Sequence, residues 1–176
     1  MSISATDRTF VRQRARYACE YCGVTEVETG AELTIDHYHP TDEGGSDVLD
    51  NLVYACHRRN EHKAAYWPKS PNDLPLWNPR QDIREEHFIP LMDGTLAALT
   101  PVGIWTIQRL RLNRLPLVQN RLLRQTRVDR DRLLRQYQDT VRLLAELMAQ
   151  QESLLQEQLE LLEEYRRILN VLDRQD

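Results

Sequence analysis

The chain has 176 residues, 28% of them charged and only 7% aromatic, with a formal net charge of −4. That length suits one modest domain with an extension, or two small domains. The N-terminal MSISATDRTF lacks the apolar core of a signal peptide and no run of 18 apolar residues occurs, so a cytoplasmic protein with no membrane partner is expected.

Three cysteines, an odd number with two in a tight pair, argue against a disulfide framework and point to metal ligands or reduced thiols. The acidic total does not exclude nucleic acid, because phosphate binding needs a local basic face and not a basic whole. Of the 23 basic residues only Lys63 and Lys69 are lysines, and arginine can grip phosphate with two prongs.

In chain order, Thr6-Asp7 can cap a helix from about Arg8 to Ala18, with Phe10, Val11 and Ala15 inward and Arg8, Arg12 and Arg16 on another face. That arginine face is either simply solvated or a contact for the DNA backbone. The helix leads to Cys19 and Cys22. A polar connector, Gly23 to Gly30, precedes Glu32-Leu33-Thr34-Ile35, which alternates as a short strand does and ends at Asp36-His37.

Pro40 and Gly44-Gly45 then mark a reversing loop. Asn51 and an apolar run, Leu52-Val53-Tyr54-Ala55, lead to Cys56 and a helix-compatible segment carrying Asn60, His62 and Lys63. This predicts a hairpin followed by a helix. Asp36 at the strand end and a side chain of the following helix can converge on one divalent cation, with His37 beside them to take a proton from water. Imidazole suits that role because its unperturbed pKa lies near neutrality.

Pro68, Pro71, Pro75 and Pro79 then break up any helix or central strand, and Trp67 and Trp77 favour an ordered wrap over a disordered linker. Residues 86 to 103 predict a small hairpin around Asp93-Gly94, with His87 structural. Thr100-Pro101 starts a helix through about Asn113.

From Leu117 onward there is neither Gly nor Pro, and the apolar residues follow a heptad: Leu134, Tyr137, Val141, Leu144, Met148, Leu155, Leu162, Tyr165, Leu169 and Leu172, interrupted by Gln151 and Gln158. A second row runs beside it through Leu133, Leu147, Leu154, Leu161 and Ile168. So wide a stripe needs another copy, a partner protein, or a fold-back hairpin. Nine arginines and two aspartates lie between Arg109 and Arg135, against six glutamates and no base between Glu146 and Glu164. The near half could lie along DNA; the far half is assigned to oligomerisation or partner docking.

Asp36-His37-x-x-Pro40, Gly44-Gly45, Asn51-Leu52, Cys56 and Asn60-x-x-Lys63, preceded by Cys19-Glu20-Tyr21-Cys22-Gly23, resemble the HNH nuclease family. Leu76 to Arg80, Glu86-His87-Phe88 and Leu99 to Gly103 resemble the tail of a common bacterial subgroup, so the resemblance covers roughly residues 8 to 118. It implies an α+β protein with a ββα-metal nuclease core (1–66) and a wrap, hairpin and helix packed on it (67–116); the heptad pattern adds a long C-terminal helix or helical hairpin, a coiled-coil extension (117–176).

The resemblance further implies endonuclease action on DNA, with His37 as general base, Asn51 holding the loop, and Asp36 and Asn60 binding Mg²⁺ or Mn²⁺. Arg58, Arg59 and Lys63 are assigned to nucleic-acid contact. Zinc-bearing members use two Cys-x-x-Cys pairs. Here Cys19, Cys22 and Cys56 are present, but Arg59 stands at the fourth position, so either His39, His57 or His62 completes the zinc site or the zinc is gone. Two other readings are a nuclease fold kept only for binding nucleic acid, and an interaction subunit organised around the long helix.

Overall fold

The structure, a computed structural model, describes residues 3–172, and the side chains of Leu169, Val171 and Leu172 also lie outside the described residues, as do those seam expectations. The chain divides into two compact units, Met1–Arg124 and Gln125–Asp176.

In the first unit, helix α1 (Ala5–Arg14) starts earlier than expected because Ser4, not Thr6, accepts the hydrogen bond from the Asp7 amide. It also ends earlier, since Arg16 and Tyr17 take positive φ values of 51° and 58°. Val11 is buried, but Phe10 is 48% exposed, correcting its assignment to the inner face. Arg12 is taken up by Glu26 at 2.7 Å and Glu32 at 2.6 Å. Helix α2 (Glu26–Thr29) opens with a capping box between Thr25 and Glu28.

Strand β1 (Thr34–His37) and strand β2 (Leu52–Ala55) pair antiparallel, with Asp36 opposite Val53 and His37 opposite Leu52. All four residues of β2 are buried because both faces of the strand are covered. Leu52 and Tyr54 pack with Val11 of α1, whereas Val53 and Ala55 join Cys19, Tyr21, Cys56, Trp77 and Phe88. That explains a continuous apolar run where a half-solvated strand would alternate. Helix α3 (His57–Lys63) follows, completing the hairpin and helix.

The proline-rich segment is an ordered wrap. Leu76 and Trp77 are buried in the same core, and the Trp77 amide donates to the Thr106 hydroxyl at 2.8 Å. A short helix α4 (Arg84–His87) leads into strands β3 (Phe88–Pro90) and β4 (Leu96–Ala98), paired antiparallel around the expected Asp93-Gly94 turn. Gly94 takes φ +80°. Thr100 caps helix α5 (Pro101–Arg109), with proline in its first turn as the sequence suggests.

Helix α6 (Leu115–Leu172) is one continuous helix, so of the two alternatives the extended helix holds and the fold-back hairpin does not. Its first turns belong to the first unit: Arg124 donates to the Gly23 carbonyl at 2.6 Å and pairs with Glu28. In the second unit the described side chains are exposed throughout. Among the described residues no helix is long and apolar enough to cross a membrane.

Candidate active site

Alternation along β1 sends Asp36 inward and leaves the His37 ring half-open to solvent. Asp36 is 9% exposed and meets Lys63, which the last turn of α3 buries to 1% exposure. The Lys63 Nζ donates to the His37 carbonyl at 2.6 Å and lies 3.3 Å from both Asp36 oxygens. Burial pushes the Asp36 carboxyl above its usual range and the Lys63 ammonium below its own, each offset in part by the other's charge. The buried Oδ2 of Asp36 accepts no hydrogen bond.

His37 Nε2 lies 2.7 Å from Asp47 Oδ1. With the carboxylate as acceptor, the proton of neutral His37 belongs on Nε2, and Nδ1, which has no hydrogen-bond partner among the described residues, keeps its lone pair. The loop between the strands is held by Asn51. Its Oδ1 accepts from the His39 amide at 2.7 Å, and its Nδ2 donates to the carbonyls of His39 at 3.0 Å and Ser46 at 2.8 Å. The glycines are sterically required here. Gly44 takes φ +95°, and a Cβ on Gly45 would stand 1.8 Å from the His39 oxygen.

Asn60 is half-buried on α3, three residues before Lys63 and therefore on the same helix face. Its side-chain amide makes no hydrogen bond among the described residues. Its backbone joins Cys56 and Ala64. The structure thus gathers Asp36, His37, Asp47 and Lys63, with Asn60 on the same face of α3 as Lys63.

Cys19, Cys22 and Cys56 are buried, and their sulfurs all lie within 4.8 Å of one another, with Cys22 and Cys56 3.7 Å apart. That spacing fits an edge of a tetrahedron of sulfurs about 2.3 Å from zinc, so the trio could hold zinc at three corners. Among the described residues no histidine or carboxylate joins them. His39 stacks on Trp67, ring centroids 3.8 Å apart, and its Nε2 is spent on the Glu43 carbonyl at 2.9 Å. His57 points to solvent beside Glu61 at 3.1 Å. His62 is half-buried, its pKa lowered by burial and by the charges of Arg59, Arg111 and Arg114. None of these three histidines lies with the cysteine trio among the described residues.

Two of the three residues assigned to nucleic acid are corrected. Arg59 is fully buried, its Nη1 donating to the carbonyls of Leu110 and, at 3.0 Å, Arg111. Lys63 is committed to Asp36 and His37. Only Arg58 is exposed, near Glu61 at 3.3 Å.

The stretch from Cys19 through the end of this site matches a known family over residues 19–65, described as HNH endonuclease. Residues 19–65 are therefore similar to an HNH endonuclease domain. No curated protein matches the chain. The HNH match ends at Ala65, so the likeness of residues 76–103 to a family tail rests on their own motifs.

Sequence reasoning missed Asp47, whose pairing with His37 exists only once the loop closes, and it missed the inward turn of Lys63. Within the matched stretch one signal for Lys63 was available: position 63 lies three residues after Asn60, on a helix face that must also meet β1.

Proposed function

We propose that the chain is a metal-dependent endonuclease that hydrolyses DNA phosphodiester bonds, with His37 as general base. The observation that carries this is the pairing of His37 Nε2 with Asp47 at 2.7 Å beside an Asp36 carboxylate whose buried Oδ2 accepts no hydrogen bond. Asp47 holds the imidazole with its proton on Nε2, so Nδ1 can take a proton from a water attacking phosphorus. Asp36 and Asn60 would hold Mg²⁺ or Mn²⁺, which when bound would neutralise charge on the phosphate and the leaving oxygen. An acid and an amide oxygen are hard donors and suit such an ion.

Asn51 fixes the loop that carries Asp47, and Lys63 ties the Asp36-His37 backbone to α3. These two are positioning residues. Zinc on the cysteine trio would be structural, buttressing residues 1–66, while 67–116 cover that core. Residues 117–176 serve oligomerisation or partner docking, and Arg58 offers charge for the DNA backbone.

A second reading, a nuclease fold kept for binding alone, is favoured by one observation: the Lys63 ammonium already faces both Asp36 oxygens at 3.3 Å. Nicking of supercoiled plasmid with magnesium or manganese separates the two. The enzyme reading expects nicking that a chelator abolishes, and binding without any nicking favours the second.

A further inference from the structure

The second unit is a helix whose apolar stripe is open to water, with Leu147 60%, Leu154 59% and Leu161 55% exposed. We infer that its occupant is a second copy of the same helix, running antiparallel. This deepens the docking role proposed above and does not depend on the nuclease chemistry.

The orientation follows from which positions flank the seam. With Leu134, Val141, Met148, Leu155 and Leu162 at heptad position a, the second apolar row falls at g, and Gln138, Glu152, Leu159 and Arg166 fall at e. In a parallel pair each g residue faces an e residue five positions on in the other chain. That would set Leu133 against Gln138, Leu147 against Glu152 and Leu161 against Arg166, which leaves three leucines beside polar or charged groups.

In an antiparallel pair g faces g and e faces e. The register that overlaps the unit fully on itself then places Leu147 on Leu154 and Leu133 on Ile168 of the second copy, leaving Leu161 of that row beside Thr140 and, at e, Leu159 beside Gln138. In the same register Asp131 meets Arg166 at e, an opposite-charge pair.

Charge along the helix selects the same orientation. Between Arg127 and Arg142 basic residues outnumber acidic ones, whereas Glu146 to Glu164 carries six acids and no base. A parallel pair stacks the acidic stretches side by side. The antiparallel register brings Arg135 level with Glu164 and Arg142 level with Glu157, turning repulsion into attraction. The two seam glutamines would meet their own copies in a parallel pair, a gain of two amide contacts. Against that gain stand the three leucines stranded beside polar groups and the acidic stretches stacked side by side.

The test uses the full chain carrying Val141→Cys or Gln158→Cys, positions that share a layer only in the antiparallel register. The wild-type chain, whose three cysteines are buried, serves as the cross-linking control. Light scattering is expected to give twice 20.8 kDa. A short bismaleimide is expected to link the two variants when they are co-expressed, and neither variant to itself. Self-linking of Val141→Cys would show a parallel pair and overturn the inference, as would a one-chain mass at micromolar concentration.

Discussion

Lys63 and Asp36 form a buried ion pair across the β1–α3 junction, with the ammonium 3.3 Å from both carboxylate oxygens and a third contact, at 2.6 Å, to the carbonyl of His37. One side chain therefore fixes the backbone on which both the expected metal ligand and the expected base are mounted. Removing one partner of such a pair leaves an uncompensated buried charge, which typically costs about 3 kcal/mol or more. Lys63→Met should lower the unfolding free energy by that amount, seen as a lower urea midpoint at an unchanged slope. A loss below about 0.5 kcal/mol would show that the pair holds nothing together.

The junction between α2 and α6 should set the acid limit of the first unit. Burial raises the Glu28 carboxyl, but hydrogen bonds from Arg124 and Thr25 outweigh it and hold the group at about 2. A carboxyl lowered on folding contributes stability above its unfolded value, about 4.5, and loses that contribution as pH falls toward about 2. The gap in melting temperature between wild type and Arg124→Ala should be larger at pH 6 than at pH 2, where the bond from Arg124 to the Gly23 carbonyl remains. A gap of the same size at both pH values would mean that the Glu28 carboxylate contributes nothing.

Arg59 occupies the position where a fourth cysteine would complete a zinc site. Arg59→Cys removes the contacts to the Leu110 and Arg111 carbonyls, so the metal-free variant should be less stable than wild type. With zinc it should regain stability and retain the ion at chelator concentrations that strip the wild-type chain. Elemental analysis after graded chelation checks this, and equal zinc retention by both chains would contradict it.

Ala64 ends α3 with φ 50° and ψ −149°, a conformation in which a Cβ is strained. Relief of roughly 1–3 kcal/mol exceeds the added unfolded-state entropy of glycine, roughly 0.5–1 kcal/mol. Ala64→Gly should therefore stabilise the domain by about 1 kcal/mol in chemical denaturation, and destabilisation would argue against the strained geometry.

Much of this architecture was legible from local chemistry. Asp93-Gly94 predicted the second hairpin because glycine tolerates the positive φ found there, and the apolar Leu52–Ala55 run predicted a strand of the first hairpin, though not that both its faces are covered. The gathering of Asp36 and His37 followed from their place at a strand end before a glycine loop. What could not be read depended on distant partners. Arg59 turns inward because carbonyls some fifty residues later accept its hydrogen bonds, and Asp47 reaches His37 only through the loop that Asn51 closes. Phe10 was misplaced because the face of α1 that meets Leu52 and Tyr54 is centred on Val11, which leaves the neighbouring ring 48% exposed.

The most direct measurement of the central claim is the rate of plasmid nicking by His37→Ala beside wild type, at saturating magnesium or manganese, with DNA affinity measured on the same samples. Loss of a general base predicts a rate lower by about 10²-fold or more, with binding unchanged. Nicking by His37→Ala at the wild-type rate would contradict the assignment of His37, and with it the proposed active site.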